Sequence, residues 1–125
     1  MKELFNLPEL QKYMYHNYGF RVRHSMELAD SLYEMGAITD PRTSQSNYPL
    51  AFVDKYLELL NAVKTNIENE EDLSFLNKGK ALDMVISGKS DEHAILPTKK
   101  LFNINDLKHD EKMMYIAIAK NFLEY

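Results

Sequence analysis

Apolar residues along this chain recur mostly three and four positions apart, the interval that gathers them on one face of an α-helix. Leu7, Leu10, Met14 and Tyr18 show it first. Asn6 and Pro8 mark a start, because proline in a first turn gives up an N–H that had no partner there. Gly19 supplies a left-handed stop. The pattern predicts a helix over 7–18. Val22, Met26, Ala29, Leu32 and Tyr33 form the next stripe, opposite Glu27, Asp30 and Glu34. With Ser25 as the expected cap and Gly36 as the stop, this second helix is predicted over 25–35.

A third helix, opened by Pro49, is predicted over 50–67, with Leu50, Val53, Tyr56, Leu57, Leu60, Val63, Lys64 and Ile67 in phase and Asn66 and Asn69 weakening its end. A fourth helical stretch is expected over 70–87, with Phe75, Leu76, Leu82, Val85 and Ile86 facing inward and Gly79 as an internal break. The last helix is expected over 106–123, capped by Asn105 or Asp110. Leu107, Met114, Ala117, Ile118, Asn121 and Phe122 form its stripe, and Met113, Tyr115, Ile116 and Leu123 widen it. A helix apolar over so much of its circumference is either central in the core or covered by a second chain. A homodimer through this helix therefore stands beside a central position in a monomer.

Two segments break the helical pattern. Residues 37–49, AITDPRTSQSNYP, hold two prolines among Thr, Ser, Asn and Asp and read as a loop. Long loops in small domains often carry function; a short wing-like β-hairpin is the alternative here. Residues 88–105 are interrupted by Pro97, and Ala94–Leu96 and Leu101–Ile104 read as short extended pieces packed on the bundle. Together these elements make one single-domain all-α bundle of four to five helices across 1–125.

Composition narrows the class. With 125 residues, 45% hydrophobic and 27% charged, the chain is an ordinary globular domain and not a disordered, collagenous or coiled-coil sequence. No apolar run approaches the length of a membrane span, and MKELFNLPEL lacks the features of a secretory signal, so a cytoplasmic location is expected. There is no cysteine, which excludes disulfides and thiolate chemistry. Richness in Lys, Asn, Glu and Tyr with few glycines fits an AT-rich genome, such as a low-GC bacterium, plasmid or phage.

The net charge of −4 is unevenly spread. Residues 1–24 hold four bases against two acids, whereas residues 25–76 hold three bases against ten acids. No phosphate-cradling glycine loop, HExxH, GxSxG or EF-hand ladder occurs. His93 and His109 sit beside acids, but neighbouring residues on a helix point about 100° apart and chelate poorly. No metal, cofactor or catalytic residue is expected.

One segment stands out. Between Lys12 and His24, Tyr13, Tyr15, Tyr18 and Phe20 interleave with Lys12, His16, Arg21, Arg23 and His24, with no acid among them. Arginine and tyrosine are preferred at protein interfaces. The same pair suits nucleic acid, where arginines neutralise phosphates and rings stack on bases. A purely structural corner, with the rings in the core, is the plain alternative. The order helix, turn, helix, loop, helix resembles a helix-turn-helix in outline, yet the second helix exposes Glu27, Asp30 and Glu34, which phosphates repel. The favoured reading is a small non-enzymatic adaptor, inhibitor or regulator that binds a protein partner through Tyr13, Tyr15, His16, Arg21, Arg23 and Arg42. The alternative is a dimeric nucleic-acid-binding regulator with a helix-turn-helix-like core.

Overall fold

The computed structural model describes residues 3–70 and 93–125. The fold is an all-α bundle, with four α-helices among the described residues: α1 (Leu7–Tyr18), α2 (Val22–Glu34), α3 (Tyr56–Ile67) and α4 (His109–Glu124). The stretch expected to be helical over 70–87 lies almost wholly outside the described residues.

Local chemistry sets the bounds of α1. The Asn6 side chain accepts a hydrogen bond from the Glu9 N–H at 2.9 Å, Pro8 sits in the first turn, and Gly19 closes the helix at φ 73°. The backbone N–H groups of Gly19 and Phe20 return to the Tyr15 and Met14 carbonyls, which satisfies acceptors that the helix end would otherwise leave open. Helix α2 starts three residues earlier than the sequence predicts. Arg21 is its N-cap and makes no side-chain capping bond. Ser25 is thus not the cap: it lies inside the helix, buried, with its hydroxyl unpartnered among the described residues. Gly36, at φ 84°, follows the end of α2 as expected.

Helix α3 keeps part of its predicted face, with Tyr56, Val63 and Ile67 buried, and corrects the rest. Leu50–Lys55 forms a 3₁₀ turn before the α-helix begins at Tyr56. A 3₁₀ turn advances about 120° per residue, against about 100° in an α-helix, so Val53 leaves the phase of the stripe, whose members Tyr56, Val63 and Ile67 stay buried within α3. Leu57 is 63% exposed and Val53 is 40% exposed, while Leu59, Ala62 and Asn66 take the buried face.

Helix α4 is the centre of the molecule. Nine of its residues, Met114 to Ala119 and Asn121 to Leu123, are buried within the single chain. This explains its wide apolar arc and removes the reason for expecting a homodimer there. It is capped neither by Asn105 nor by Asp110: the N-cap is Lys108, whose N–H donates to the Glu111 carboxylate at 3.1 Å.

The segments between helices are held as extended strips, without a sheet among the described residues. Residues 37–49 form no wing. Ile38 instead makes an isolated antiparallel bridge with Pro97. The Thr39 N–H donates to the Leu96 carbonyl, and Thr98 N–H to Ala37. Ala94, Ile95 and Leu96 are buried, as expected of extended pieces on the bundle, and the Ile95 N–H donates to the Phe5 carbonyl at 2.8 Å.

Two buried asparagines replace the missing ladder bonds. Asn121 accepts from the Phe5 N–H at 3.0 Å and donates to the Glu3 carbonyl at 3.0 Å. Asn66 accepts from Phe102 N–H at 3.1 Å and donates to the Lys100 carbonyl and the Tyr115 hydroxyl at 2.9 and 3.1 Å. Backbone polar groups that pack against a helix must find such partners or lose the hydrogen bonds water would have given them.

Candidate nucleic-acid interface

The turn at Gly19 folds α1 back toward α2 and brings the basic and aromatic residues of 12–24 to one corner. Tyr15 is 58% exposed, and its ring meets that of His16 edge-on with centroids 5.7 Å apart. Tyr18, 44% exposed, leans on Phe20 at 5.6 Å, and Phe20 meets His24 edge-on at 5.1 Å. A row of three rings therefore crosses the corner. His24 ends the row with a 2.8 Å contact from Nε2 to the Asp110 carboxylate at the start of α4.

Arg21 and Arg23 are both exposed beside this row. Among the described residues neither has an ionic partner. They also stand at the start of a helix whose first turn holds no acid and whose cap gives no side-chain bond. The amino end of a helix carries partial positive charge. Two arginines there leave a local excess of positive charge that an anion would relieve.

Not every predicted residue joins the corner. Tyr13 points the other way on α1, half-buried, with its ring 5.3 Å from Phe5. It lines a cleft of about 440 Å³ with Glu3, Glu9 and Asn121, where acidic groups dominate. Arg42 is separate too. Its guanidinium reaches Asp30 of α2 at 2.6 Å and Asp40 at 3.0 Å, and these neighbours hold its pKa above the usual arginine value, the Asp40 hydrogen bond most of all. The Arg42 backbone N–H on Asp40 is the main cause of that carboxyl's lowered pKa.

The loop bearing Arg42 is tethered along its length. Asn6, besides capping α1, donates to the Ser46 hydroxyl at 3.1 Å. The Leu7 N–H donates to Thr43 and the Ala94 N–H to Asn47. The Tyr48 hydroxyl donates to the Phe52 carbonyl at 2.6 Å, and burial pushes its pKa up. Burial likewise raises the Tyr115 hydroxyl to about 12. Both rings are fully enclosed and act as packing groups that keep their protons. No group of three or more His, Cys, Asp or Glu among the described residues is placed to hold a metal ion.

The comparison with known proteins gives this geometry a context. Residues 1–125 match the DNA topoisomerase family, and the chain belongs to that family. It is 30% identical over 127 residues to DNA topoisomerase 3 of Staphylococcus aureus strain USA300 and 29% identical to that of strain NCTC 8325 / PS 47. Each match takes in 98% of this chain and 18% of the relative, so the chain spans under a fifth of the length of these proteins. The full-length topoisomerase I of Thermotoga maritima contains the same fold, with a TM-score of 0.60 at 23% identity over 97% of this chain and 19% of that one.

Family membership corrects the favoured sequence reading. A non-enzymatic adaptor or regulator that binds a protein is not what the chain resembles: its family is one of enzymes that act on DNA. Sequence reasoning found the basic and aromatic corner but ranked protein above nucleic acid. No helix among the described residues is long and apolar enough to cross a membrane.

Proposed function

We propose that this chain is a DNA-gripping part of a topoisomerase, with Arg21 and Arg23 binding backbone phosphates and Tyr15, His16 and Tyr18 lying against sugars and bases. The observation that carries this reading is the pair of arginines at the α1–α2 corner, exposed, without ionic partners among the described residues and flanked by exposed rings. Phosphate contacts fix position on the strand, and stacking adds affinity without demanding a sequence. Residues 25–76 carry ten acids against three bases, a charge contrast that favours approach of DNA at the basic corner. Arg42 lies outside the corner, beside Asp30 further along α2, and starts from a neutralised state. Tyr13 supports the corner from within, by holding α1 on the N-terminal strip.

Fluorescence anisotropy with a labelled oligonucleotide across a salt series tests the reading. Affinity should fall linearly in log–log form as salt rises. Removing one phosphate-binding arginine should flatten the slope by about 0.7 on a single strand and about 0.9 on a duplex. R21A/R23A should therefore bind many-fold more weakly at low salt and converge on the unmodified protein at high salt. Equal affinity and slope in the double variant would overturn the assignment.

A further inference from the structure

We propose that Asp30 holds Arg42 in reserve: DNA takes the guanidinium from Asp30 when it binds, and the Asp30–Arg42 pair thereby sets the strength and salt dependence of binding. The inference rests on the DNA-binding reading above and concerns a residue, Asp30, that the reading leaves out.

Four observations carry it. First, the cluster of Arg42, Asp30 and Asp40 places two negative groups within 3.0 Å of one positive group, so as it stands it repels a phosphate. Second, the contact is open to solvent, with the Arg42 side chain 56% exposed and Asp30 34% exposed. Exposed ion pairs are weak and exchange partners readily. A guanidinium has five N–H donors in a fork that fits phosphate as well as carboxylate. Third, the two acids hold Arg42 differently. Asp40 lies two residues away and is bound to the Arg42 backbone as well as its side chain, so it travels with the loop. Asp30 is on a different element and is the group from which Arg42 must part.

The fourth observation concerns direction. Arg23 and Asp30 are seven residues apart on α2, which places them on one face, about 10 Å apart along the axis. A guanidinium leaving Asp30 is thus already on the side of the molecule where Arg23 stands. The loop backbone is pinned by Thr39 to Leu96 and by Thr43 to Leu7. The exchange therefore needs a change of side-chain torsion and no movement of the loop.

The test is a comparison of D30N, R42A, D30N/R42A and E27Q with the unmodified full chain. The probe is a labelled oligonucleotide, single-stranded and as a duplex, titrated across a salt series. Glu27 is the control, since it is an exposed acid on the same helix with no contact to Arg42 among those described. D30N should bind several-fold more tightly at low salt, with the slope steeper by about 0.7 to 0.9, because no freed Asp30 carboxylate then takes up a cation to offset the one that the Arg42-bound phosphate releases. E27Q should gain a little affinity with no change of slope. In the R42A background the slope change from D30N should vanish. Far-UV circular dichroism checks that each variant folds, and R42Q replaces R42A if truncation disturbs the loop. An unaltered slope in D30N, a response equal to that of E27Q, or a D30N slope change that survives in R42A would overturn this inference and leave the Arg21 and Arg23 assignment standing. Failure of the unmodified chain to bind either probe would overturn both.

Discussion

Replacing Asn66 with alanine tests the claim that a single side chain holds the 100–102 segment onto the helices. Asn66 is only 7% exposed and makes three hydrogen bonds. Alanine removes all three and strands their partners. A typical hydrogen bond contributes about 1 kcal/mol net, and a buried group left unpaired costs about 1–3 kcal/mol. The three partners do not fare alike. Lys100 is exposed, so its carbonyl can turn to water. The Phe102 N–H is on a half-buried residue, and the Tyr115 hydroxyl is wholly enclosed. The loss should therefore be about 3 kcal/mol, most of it from Phe102 and Tyr115. Urea unfolding followed by circular dichroism measures it, read as a shift of the midpoint at constant slope. Tyr115→Phe removes only one of the three bonds and should cost about 1 kcal/mol. In the double variant the two effects should add to less than their sum, because they share a bond. A loss below about 1 kcal/mol for Asn66→Ala, or strict additivity with Tyr115→Phe, would refute the reasoning.

Three further outcomes are expected. Leu59→Ala should cost about 2–4 kcal/mol and Leu57→Ala almost nothing, because Leu57 stands about 100° round the helix from buried Tyr56, on the side away from Leu59; reversed values in urea unfolding would put Leu57 in the core. Burial raises the Tyr115 hydroxyl from 10.0 to about 12, so the folded state holds that proton more tightly than the unfolded chain. The resulting stability, roughly 2–3 kcal/mol, is fully present below pH 10 and lost as pH rises through about 12, and Tyr115→Phe should shrink this alkaline loss in unfolding curves. Gly19→Ala meets nothing within 4 Å but must adopt φ 73°, so it should cost about 1 kcal/mol from backbone strain alone, visible as a lower melting temperature.

Features set by near neighbours were legible in the sequence, and features set by distant ones were not. Asn6, Pro8 and Gly19 announce α1 because capping acts within a few residues. The breadth of the apolar arc on α4 was plain, but not what covers it, since that depends on segments from the whole chain. The face of α3 was legible in part: Tyr56, Val63 and Ile67 are buried as their spacing implies, whereas Leu57 faces solvent and nothing in LAFVDK signals the 3₁₀ turn that precedes the helix. Asn66 looked like a weak helix end. Its partners lie 34 to 49 residues away, and no local pattern points to them. At the candidate site, the interleaved rings and bases of 12–24 were visible, and so was the absence of acids. The state of Arg42 was not, because Asp30 lies 12 residues upstream and reaches it only through the fold. The DNA-acting family was beyond a reading based on short catalytic motifs, since the chain's residues carry none of those sought.

The central place of α4 bears on how the protein is made. Its buried residues come from the last quarter of the described chain, and the closing contacts join residues 116 to 118 positions apart. A nascent chain emerging from the ribosome exposes the apolar sides of α1, α2 and α3 before their common support has been synthesised. Native pairing must wait until α4 clears the exit tunnel, and until then those surfaces are open to chaperones or to one another. Slowing translation within 1–108 would lengthen that exposed interval.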